Sequence, residues 1–120
     1  MENCIFCDKI KSNDDILRSF NWFIVVRDGF PVTEGHSLII PKRHITKITD
    51  LSIEEFSELQ EIIRWLDDSF KTDYNIGINC GENAGQTISH LHIHFIPRRK
   101  GDVDNPRGGV RGVIPSKQNY

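Results

Sequence analysis

The sequence predicts a single α+β domain with a mainly antiparallel, five-stranded sheet and one long helix. The chain has 120 residues, which corresponds to about one domain at roughly 150 residues per domain. Short β-branched and aromatic segments precede and follow one long amphipathic segment, and this order favours an α+β domain because strands and helices do not alternate. Hydrophobic residues make up 38% of the chain, enough to bury a core without disulfide bonds.

Three strands are predicted in the first half of the chain. Residues 15–20 and 22–26 are rich in β-branched and aromatic side chains, which favour strands. The segment 27–31 contains glycine and proline and ends the second strand. A third strand is predicted over residues 36–40 and stops before Pro41, because proline cannot donate to a strand ladder.

The long helix is predicted over 53–70. Ser52 as N-cap and Glu55 three residues later have the spacing of a capping box, in which two unpaired amides are satisfied. Apolar side chains recur at three- and four-residue steps and form one stripe: Phe56, Leu59, Ile63, Leu66 and Phe70. The opposite face is predicted to be solvated and carries Glu54, Glu58, Glu61, Asp67 and Asp68.

Two further strands are predicted at residues 74–80 and 90–96, joined by a polar loop that contains glycines. Cys80 stands alone in a hydrophobic context and is expected to be buried. Residues 1–100 form the main part of the domain. Residues 101–120 form a basic, glycine- and arginine-containing C-terminal arm of the same domain, which we call the arm.

The charge pattern excludes several classes of protein. The net charge is −2, so an overall basic field for non-specific nucleic-acid binding is absent. No apolar run approaches the roughly 20 residues that span a bilayer, and the N-terminus does not resemble a signal peptide. We therefore expect a cytoplasmic protein with no nucleic-acid or membrane partner. Residues 98–120, in contrast, contain six basic and two acidic residues, a balance that suits an anionic ligand.

Three histidines alternate with apolar residues in the segment 90–96. On a strand, alternate side chains share a face, so the histidines line one face while the residues between them enter the core. Packing alone does not explain such a row, because a buried imidazole needs partners for both ring nitrogens. Two chemistries fit: three histidines can hold a catalytic zinc, or one imidazole can act as a nucleophile that its neighbours orient. The three residues are His90, His92 and His94.

This segment resembles the histidine triad family of nucleotide hydrolases and transferases, whose pattern is three histidines separated by single hydrophobic residues. The likeness extends through Asn79, Gly81 and the segment 84–87, forward to Arg98, and upstream to 35–42. It covers roughly residues 4–100. The resemblance implies the fold of that family, a homodimer, and hydrolysis of a purine nucleotide at its α-phosphorus. The motif is most similar to the branch that hydrolyses dinucleoside polyphosphates such as diadenosine tetraphosphate.

The resemblance also implies roles for individual residues. His92 would be the nucleophile that forms a nucleotidyl-histidine intermediate, which is plausible chemistry for a neutral imidazole. His94 would contact phosphate oxygens. Gly85, Gln86 and Thr87 match the phosphate loop of the family, in which backbone amides reach the substrate.

Three further residues match nucleotide-contact or supporting positions of the family. Asp28 occupies the ribose-binding position, Asn79 another nucleotide-contact position, and His36 the position of a histidine that supports the triad by hydrogen bonding. Each has a simpler interpretation as well. Asp28 before a glycine is an ordinary turn signal, and Asn79 is also suited to the end of a strand.

Cys4 and Cys7 have the shortest usual zinc spacing but supply only half of a tetrahedral site. The resemblance to the zinc-bearing branch of the family implies His44 and His90 as the other two ligands. Such a Zn²⁺ would be structural, because four protein ligands leave no open position for water, and the chemical step would need no metal. A redox pair and an empty reduced pair are the alternatives, although the βαβ context of a thioredoxin-like motif is missing.

Arg107 and Arg111 lie among glycines in the arm. Guanidinium groups bind phosphate oxygens in pairs, so we expect them to neutralise the distal phosphates of a polyphosphate chain. A solvated tail or a dimer contact is the alternative.

Three other functions stay open on the sequence alone. A nucleoside phosphoramidate hydrolase would use the same His92, and a non-catalytic purine nucleotide-binding or interaction module would bind without turnover. A three-histidine zinc hydrolase would lose its activity on chelation.

Overall fold

Two α-helices and five β-strands account for the main elements of residues 3–120, which a computed structural model describes. In chain order these are α1 (Ile5–Ser12), β1 (Arg18–Ser19), β2 (Phe23–Arg27), β3 (Ser37–Pro41), α2 (Ile53–Phe70), β4 (Asp73–Gly77) and β5 (Ile93–Arg98). Short 3-10 helices occupy Ile48–Asp50, Glu82–Ala84, Gly109–Val113 and Pro115–Lys117. The strands form one sheet in the order β1-β2-β3-β5-β4, and each pair is antiparallel. The predicted α+β class with a five-stranded antiparallel sheet is confirmed. The first two residues of the predicted 1–100 domain lie outside the described range.

The two helices cover opposite faces of the sheet. Alternate residues of β2, β3 and β5 pack with α2 in one cluster, which includes Phe23, Val25, Ile39, Ile93 and Phe95 with Leu59, Ile62 and Leu66. The residues between them on β2 and β3 pack with α1 in a second cluster, which includes Ile24, Val26, Leu38 and Ile40 with Phe6. The period of two along a strand thus separates an α1 face from an α2 face.

Helix α1 is an addition to the single long helix that the sequence predicts. The Cys4 thiol accepts a hydrogen bond from the Cys7 amide at 3.3 Å and so caps the helix. Asn13 ends it in the left-handed conformation with φ 59°. A thiol is an unusual N-cap, and the pattern of eight residues is short, so the sequence carries no clear signal for this helix.

The capping box of α2 forms as predicted. The Ser52 hydroxyl accepts from the Glu55 amide at 3.1 Å, and the Glu55 carboxylate accepts from the Ser52 amide at 2.8 Å. Arg43 donates to both carboxylate oxygens, at 2.7 and 3.0 Å. These hydrogen bonds outweigh the desolvation of Glu55 and lower its pKa to about 2. The start of α2 is therefore joined to the segment that follows β3.

Two assignments along α2 are wrong. Glu58 was expected on the solvated face, but it is buried and accepts hydrogen bonds from the Asn21 and Trp22 amides at 3.1 and 2.7 Å. It satisfies the backbone of the turn between β1 and β2, a tertiary role that helical periodicity does not report. Phe56, expected in the apolar stripe, is 54% exposed, because α2 presents this position at the edge of its contact with the sheet.

Strand bounds also differ from the sequence prediction. The first strand is only Arg18–Ser19, β4 ends at Gly77, and β5 begins at Ile93 and continues to Arg98. Strand β3 begins at Ser37 and includes Pro41, which pairs with Phe23, so the prediction that this strand stops before Pro41 is wrong. The ladder between β3 and β5 ends where Ile39 pairs with Ile93. The segment before β5 lies instead beside the part of the chain that comes after β3, since the Leu91 amide donates to the Ile45 carbonyl at 2.7 Å. Cys80, expected to be buried, is exposed, because it lies beyond the end of β4.

The arm folds into two short 3-10 helices, Gly109–Val113 and Pro115–Lys117. The guanidinium carbons of Arg107 and Arg111 lie 4.6 and 4.8 Å from the centre of the Tyr120 ring. Arg111 also donates to the Lys117 and Gln118 carbonyls. Within residues 3–120, no helix combines the length and the apolar character that a membrane span needs.

Candidate active site and metal centre

The sheet places the histidine cluster on the α1 face. His94 on β5 pairs with Leu38 on β3, a residue of the α1-face cluster. His36 lies two residues before Leu38 and therefore shares its face. Asp28 lies opposite His36, since the Asp28 amide donates to the His36 carbonyl at 3.0 Å. Asp28, His36 and His94 thus meet on one face, whereas the residues on either side of His94 are buried toward α2.

The orientation of His92 is set by a backbone carbonyl. Its Nδ1 lies 2.9 Å from the His90 carbonyl oxygen. A carbonyl only accepts, so Nδ1 carries the proton and Nε2 keeps a free lone pair. The Phe6 ring of α1 packs against the His92 ring at a centroid distance of 5.1 Å and holds it further in place. His92 is 8% exposed. The arrangement fixes the ring and, within the described residues, leaves Nε2 without a hydrogen-bond partner.

His36 and His94 form a second fixed pair. The Val32 amide donates to His36 Nδ1 at 3.0 Å, which places the single proton of a neutral His36 on Nε2. That Nε2 lies 2.9 Å from His94 Nδ1 and 3.3 Å from Asp28 Oδ2. His94 Nδ1 therefore accepts, and its own proton is on Nε2. Burial lowers the pKa of both imidazoles and outweighs the opposing effect of Asp28, so both are neutral near pH 7.

Asp28, His36 and His94 have distances that suit a metal ion, but their hydrogen bonds do not. A metal at this position would need the lone pair of His36 Nε2. The Val32 amide already uses the lone pair of Nδ1, so Nε2 carries the proton and is a donor. We interpret this group as a hydrogen-bond network.

Cys4, Cys7, His44 and His90 meet in a different cluster, with the compact arrangement of a four-ligand metal centre. His90 Nδ1 lies 3.4 and 3.6 Å from the two sulfurs and 3.1 Å from His44 Nδ1, and the Cys7 sulfur lies 3.2 Å from His44 Nδ1. A tetrahedral zinc with bonds of about 2.3 Å to sulfur and about 2.0 Å to nitrogen separates S from N by about 3.5 Å and N from N by about 3.3 Å. The residues fit zinc.

The surroundings of the cluster support the same interpretation. His90 Nε2 lies 2.8 Å from the Pro41 carbonyl, so it donates there and leaves Nδ1 as the ligand atom. A backbone carbonyl behind a histidine ligand is the usual arrangement in metal sites. Burial and the neighbouring Cys4 raise the pKa of the Cys7 thiol. A bound cation would reverse this effect, because thiolate is the ligand form.

The three triad histidines therefore do not converge on one point. The Nδ1 atom of His90 faces the cysteine cluster, that of His92 faces a backbone carbonyl, and that of His94 faces His36. A three-histidine catalytic zinc needs all three rings directed at the same ion. The ring orientations therefore disagree with a three-histidine catalytic zinc site.

The predicted phosphate loop precedes His90. The Gln86 side chain accepts from the Gly81 amide at 2.9 Å and donates to the Ile88 carbonyl at 3.1 Å and the Thr46 carbonyl at 3.3 Å. It therefore holds the loop in shape. Thr87 beside it is exposed and open to a ligand.

Gly85 and Asn79 lie side by side at the same loop. Gly85 has φ +94°, and a Cβ there would lie 3.9 Å from the Asn79 amide nitrogen. The conformation favours glycine. Arg107 and Arg111, in contrast, stay with Tyr120 in the arm. Within the described residues, no hydrogen bond or ion pair connects either arginine with the histidine network.

Several contributors to the site were missed in the sequence. Phe6 belongs to the unpredicted helix α1, and its spacing to Ile10 was the one available signal. The others act through the backbone: the Val32 amide and the carbonyls of Pro41 and His90. Backbone groups are common to all residue types, so no sequence motif reveals them.

A protein-family model described as the HIT domain matches residues 9–101. The chain belongs to this family. Among solved structures, a zinc-bound histidine triad family protein from Mycobacterium smegmatis matches this HIT chain with a TM-score of 0.75 and 31% identity, over 83% of this chain and 78% of that one. The bound zinc is a property of the Mycobacterium smegmatis protein.

Two curated relatives of this HIT chain carry names of activities. The bis(5'-adenosyl)-triphosphatase of Dictyostelium discoideum is 44% identical over 80 residues, which are 62% of this chain and 54% of that protein. The adenosine 5'-monophosphoramidase of Saccharomyces cerevisiae is 37% identical over 99 residues, which are 80% of this chain and 63% of that protein. The HIT chain thus spans between half and two thirds of the length of these relatives.

Proposed function

We propose that this HIT protein is a nucleotide hydrolase that cleaves a dinucleoside polyphosphate, such as diadenosine tetraphosphate, at an α-phosphorus. The observation that carries the proposal is the hydrogen bond from His92 Nδ1 to the His90 carbonyl, at 2.9 Å. It leaves Nε2 as the ring nitrogen available for attack. The activity named for the Dictyostelium relative, on a bis(5'-adenosyl) triphosphate, supports this substrate class.

The reaction has two displacements. His92 Nε2 forms a bond to the α-phosphorus while the bond from that phosphorus to the bridging oxygen breaks, and a nucleoside polyphosphate leaves as its anion. Water then attacks the same phosphorus, the P–N bond breaks, and the water proton passes to solvent. Nucleoside monophosphate departs and the imidazole is restored. Covalent catalysis of this kind replaces one difficult step by two easier ones.

The neighbouring groups bind and orient the substrate in this proposal. His94 carries its proton on Nε2 and donates to phosphate oxygens, where charge develops in the transition state. The Thr87 hydroxyl and the amides after Gly85 bind phosphate, and Gln86 maintains the loop. Asn79 beside the loop contributes a nucleotide contact.

The sugar and base are bound on the α1 face. The Asp28 carboxylate accepts from ribose hydroxyls, while His36 supports His94. Ile16 is partly buried and packs against the cluster that contains Val26, two residues before Asp28, so we place the purine against Ile16. Arg107 and Arg111 of the arm, whose guanidinium groups face Tyr120, are proposed to reach the distal phosphates. An unchanged preference between long and short phosphate chains after Arg107→Ala and Arg111→Ala would contradict this part.

A structural zinc ion is proposed for the cluster of Cys4, Cys7, His44 and His90. When bound, it would crosslink the helix α1 cap, the segment after β3 and the triad segment, without entering the chemical step.

A homodimer is also proposed. Strand β4 lies at the edge of the sheet, and Phe56 on α2 is exposed, so a second copy can extend the sheet and cover both.

The test is product analysis with diadenosine tetraphosphate in ¹⁸O-labelled water. We expect AMP and ATP, with the label in AMP, because water attacks the α-phosphorus of the intermediate. His92→Ala should yield neither product while its circular dichroism matches the wild type. Equal turnover by His92→Ala would show that His92 is not the nucleophile. Cys80→Ser is the matched control, because Cys80 is exposed and lies outside both clusters.

A phosphoramidate hydrolase is the second candidate. The named activity of the yeast relative favours it, and the same His92 attack would break a P–N bond in the substrate. Comparing kcat/KM for adenosine 5'-phosphoramidate and diadenosine tetraphosphate separates the two. Binding without turnover of either would leave a nucleotide-binding module.

A further inference from the structure

We propose that Asp28 couples ribose binding to the hydrogen bond that orients His94, so that the sugar hydroxyls of the substrate increase turnover as well as affinity. The inference rests on the proposed function for the nucleotide. It adds a positioning role to a carboxylate that would otherwise only hold the sugar. Its basis is that the Nε2–H group of His36 donates to His94 while the Asp28 carboxylate lies 3.3 Å from the same nitrogen.

The first step is the fixed proton of His36. The ring is 3% exposed, and the Val32 amide occupies its Nδ1 at 3.0 Å. A neutral imidazole has one N–H, which must then be on Nε2. Water has little access to this nitrogen, so the proton has only the neighbouring protein groups as partners.

The second step is the competition for that proton. His94 Nδ1 lies 2.9 Å from His36 Nε2 and Asp28 Oδ2 lies 3.3 Å from it. The imidazole is closer, but the carboxylate is charged and therefore the stronger acceptor. Only the contact with His94 has the geometry of a hydrogen bond, and the Asp28 carboxylate attracts the same N–H electrostatically. His94 consequently receives only part of the interaction that fixes its ring.

The third step is what a ribose does to this balance. Asp28 Oδ1 is already used by the Phe30 amide at 2.8 Å, so the carboxylate has a fixed orientation. Oδ2 remains as the acceptor, and the Asp28 side chain is 16% exposed, which allows a hydroxyl to reach it. A hydroxyl that donates to Oδ2 offsets its charge and weakens its attraction for the His36 proton. The N–H of His36, with its proton still bound to Nε2, then points more directly at His94 Nδ1.

The consequence is a fixed His94 whenever a ribose is bound. With Nδ1 fully paired, the ring keeps its Nε2 proton directed at the position of the substrate phosphate. A nucleotide that lacks the sugar hydroxyls binds but leaves His94 less well oriented. The sugar contact therefore contributes to kcat, whereas a contact that only holds the substrate changes KM alone.

The direct test is histidine ¹⁵N NMR on the full-length protein with adenosine and 2',3'-dideoxyadenosine as probes. Adenosine should shift the His36 Nε2 and His94 Nδ1 resonances, and the dideoxy compound should not. Asp28→Ala should show the shifted positions without any nucleoside, because the competing acceptor is gone, and adenosine should not move them further. Asp104→Ala, which removes an exposed carboxylate of the arm, should behave as the wild type.

The kinetic test compares diadenosine tetraphosphate with its analogue that lacks the 2' and 3' hydroxyls. We expect the analogue to reduce kcat of the wild type by about fivefold, the factor that corresponds to about 1 kcal/mol for one net hydrogen bond. In Asp28→Ala, kcat should be the same for both substrates. A wild-type effect confined to KM, or resonances that adenosine leaves unchanged, would overturn the coupling.

Calorimetry on the same samples separates the coupling from the proposed function. Adenosine that binds without shifting the two resonances refutes the coupling and leaves the nucleotide site intact. Adenosine that does not bind refutes the nucleoside site and the coupling together. Shifts that occur equally in Asp28→Ala would show that the sugar acts through another group, and the coupling would again be wrong.

Discussion

Removal of the zinc ion that we propose for the cluster of Cys4, Cys7, His44 and His90 is expected to lower the thermal stability of the fold. A ligand that binds only the native state stabilises it by RT ln(1 + [L]/Kd), which is about 2.7 kcal/mol when free metal is 100 times Kd. A loss of 1 kcal/mol shifts the melting temperature of a chain of this size by about 4 °C. Chelation should therefore lower the melting temperature by roughly 10 °C.

The geometry explains why the effect should be this large. The ligands come from three separate parts of the chain: the cap of α1, the segment after β3, and the triad segment. Four of the six pairs of ligand atoms are separated by 3.1–3.6 Å, close to tetrahedral separations, and all of the ligand atoms lie within 4.8 Å of one another. Little strain is needed to close the site, so most of the binding free energy should appear as folding stability.

The assay is thermal denaturation with and without a chelator, together with elemental analysis of the purified protein. Cys7→Ser removes one ligand and should reproduce the chelated melting temperature in the presence of zinc. Cys80→Ser removes the exposed thiol outside the cluster and should melt as the wild type. Identical melting with and without chelator, or a purified protein that contains no zinc and is fully active, would refute the reasoning.

The remaining predictions concern two buried carboxylates of α2. Glu58→Gln should lower the free energy of unfolding by about 2 kcal/mol in urea denaturation, because the Glu58 carboxylate accepts hydrogen bonds from two backbone amides. Glu61→Gln, on the exposed surface, should change the free energy of unfolding by less than about 0.5 kcal/mol. Equal effects of the two substitutions would be inconsistent with this role of Glu58. The second carboxylate, Glu55, has its pKa lowered to about 2, chiefly by hydrogen bonds from Arg43. Its stabilisation is present above the unfolded pKa of about 4.3 and is lost as the pH falls toward 2. Between pH 6 and pH 2 the wild type should therefore lose on the order of 2 kcal/mol of stability through Glu55, a value reduced because Arg43 is half exposed. The variant Glu55→Gln should not show this loss when the two proteins are compared by urea denaturation over that pH range. A variant with the same pH profile as the wild type would contradict the prediction.

Local patterns predicted the central parts of this protein well. The alternation of His90, His92 and His94 with buried apolar residues is a property of extended chain, and it holds even though only His94 lies within a strand. The capping box at Ser52 and Glu55 depends on four consecutive residues, and it also forms as predicted. In each case the interaction that decides the structure is short in sequence.

The errors came from interactions between distant residues. Glu58 has an ordinary place on a polar helix face, and only the fold brings it to the Asn21 and Trp22 amides. Helix α1 is stabilised by packing Phe6 against the sheet and against His92, which propensity in eight residues does not indicate. The backbone groups that determine the histidine tautomers cannot be identified from the residue types in the sequence.

His90 connects the metal cluster with the proposed nucleophile, His92. Its ring faces Cys4, Cys7 and His44, while its backbone carbonyl accepts the Nδ1 proton of His92. Any displacement of the His90 ring that moves its backbone also moves the acceptor that determines the tautomer of His92. A metal held by these four ligands would have no open position for water, but it would restrain this carbonyl and so affect the orientation of the His92 ring. We therefore expect the metal-bound cluster to affect the rate of attack by His92 while it takes no part in the bonds that are made and broken.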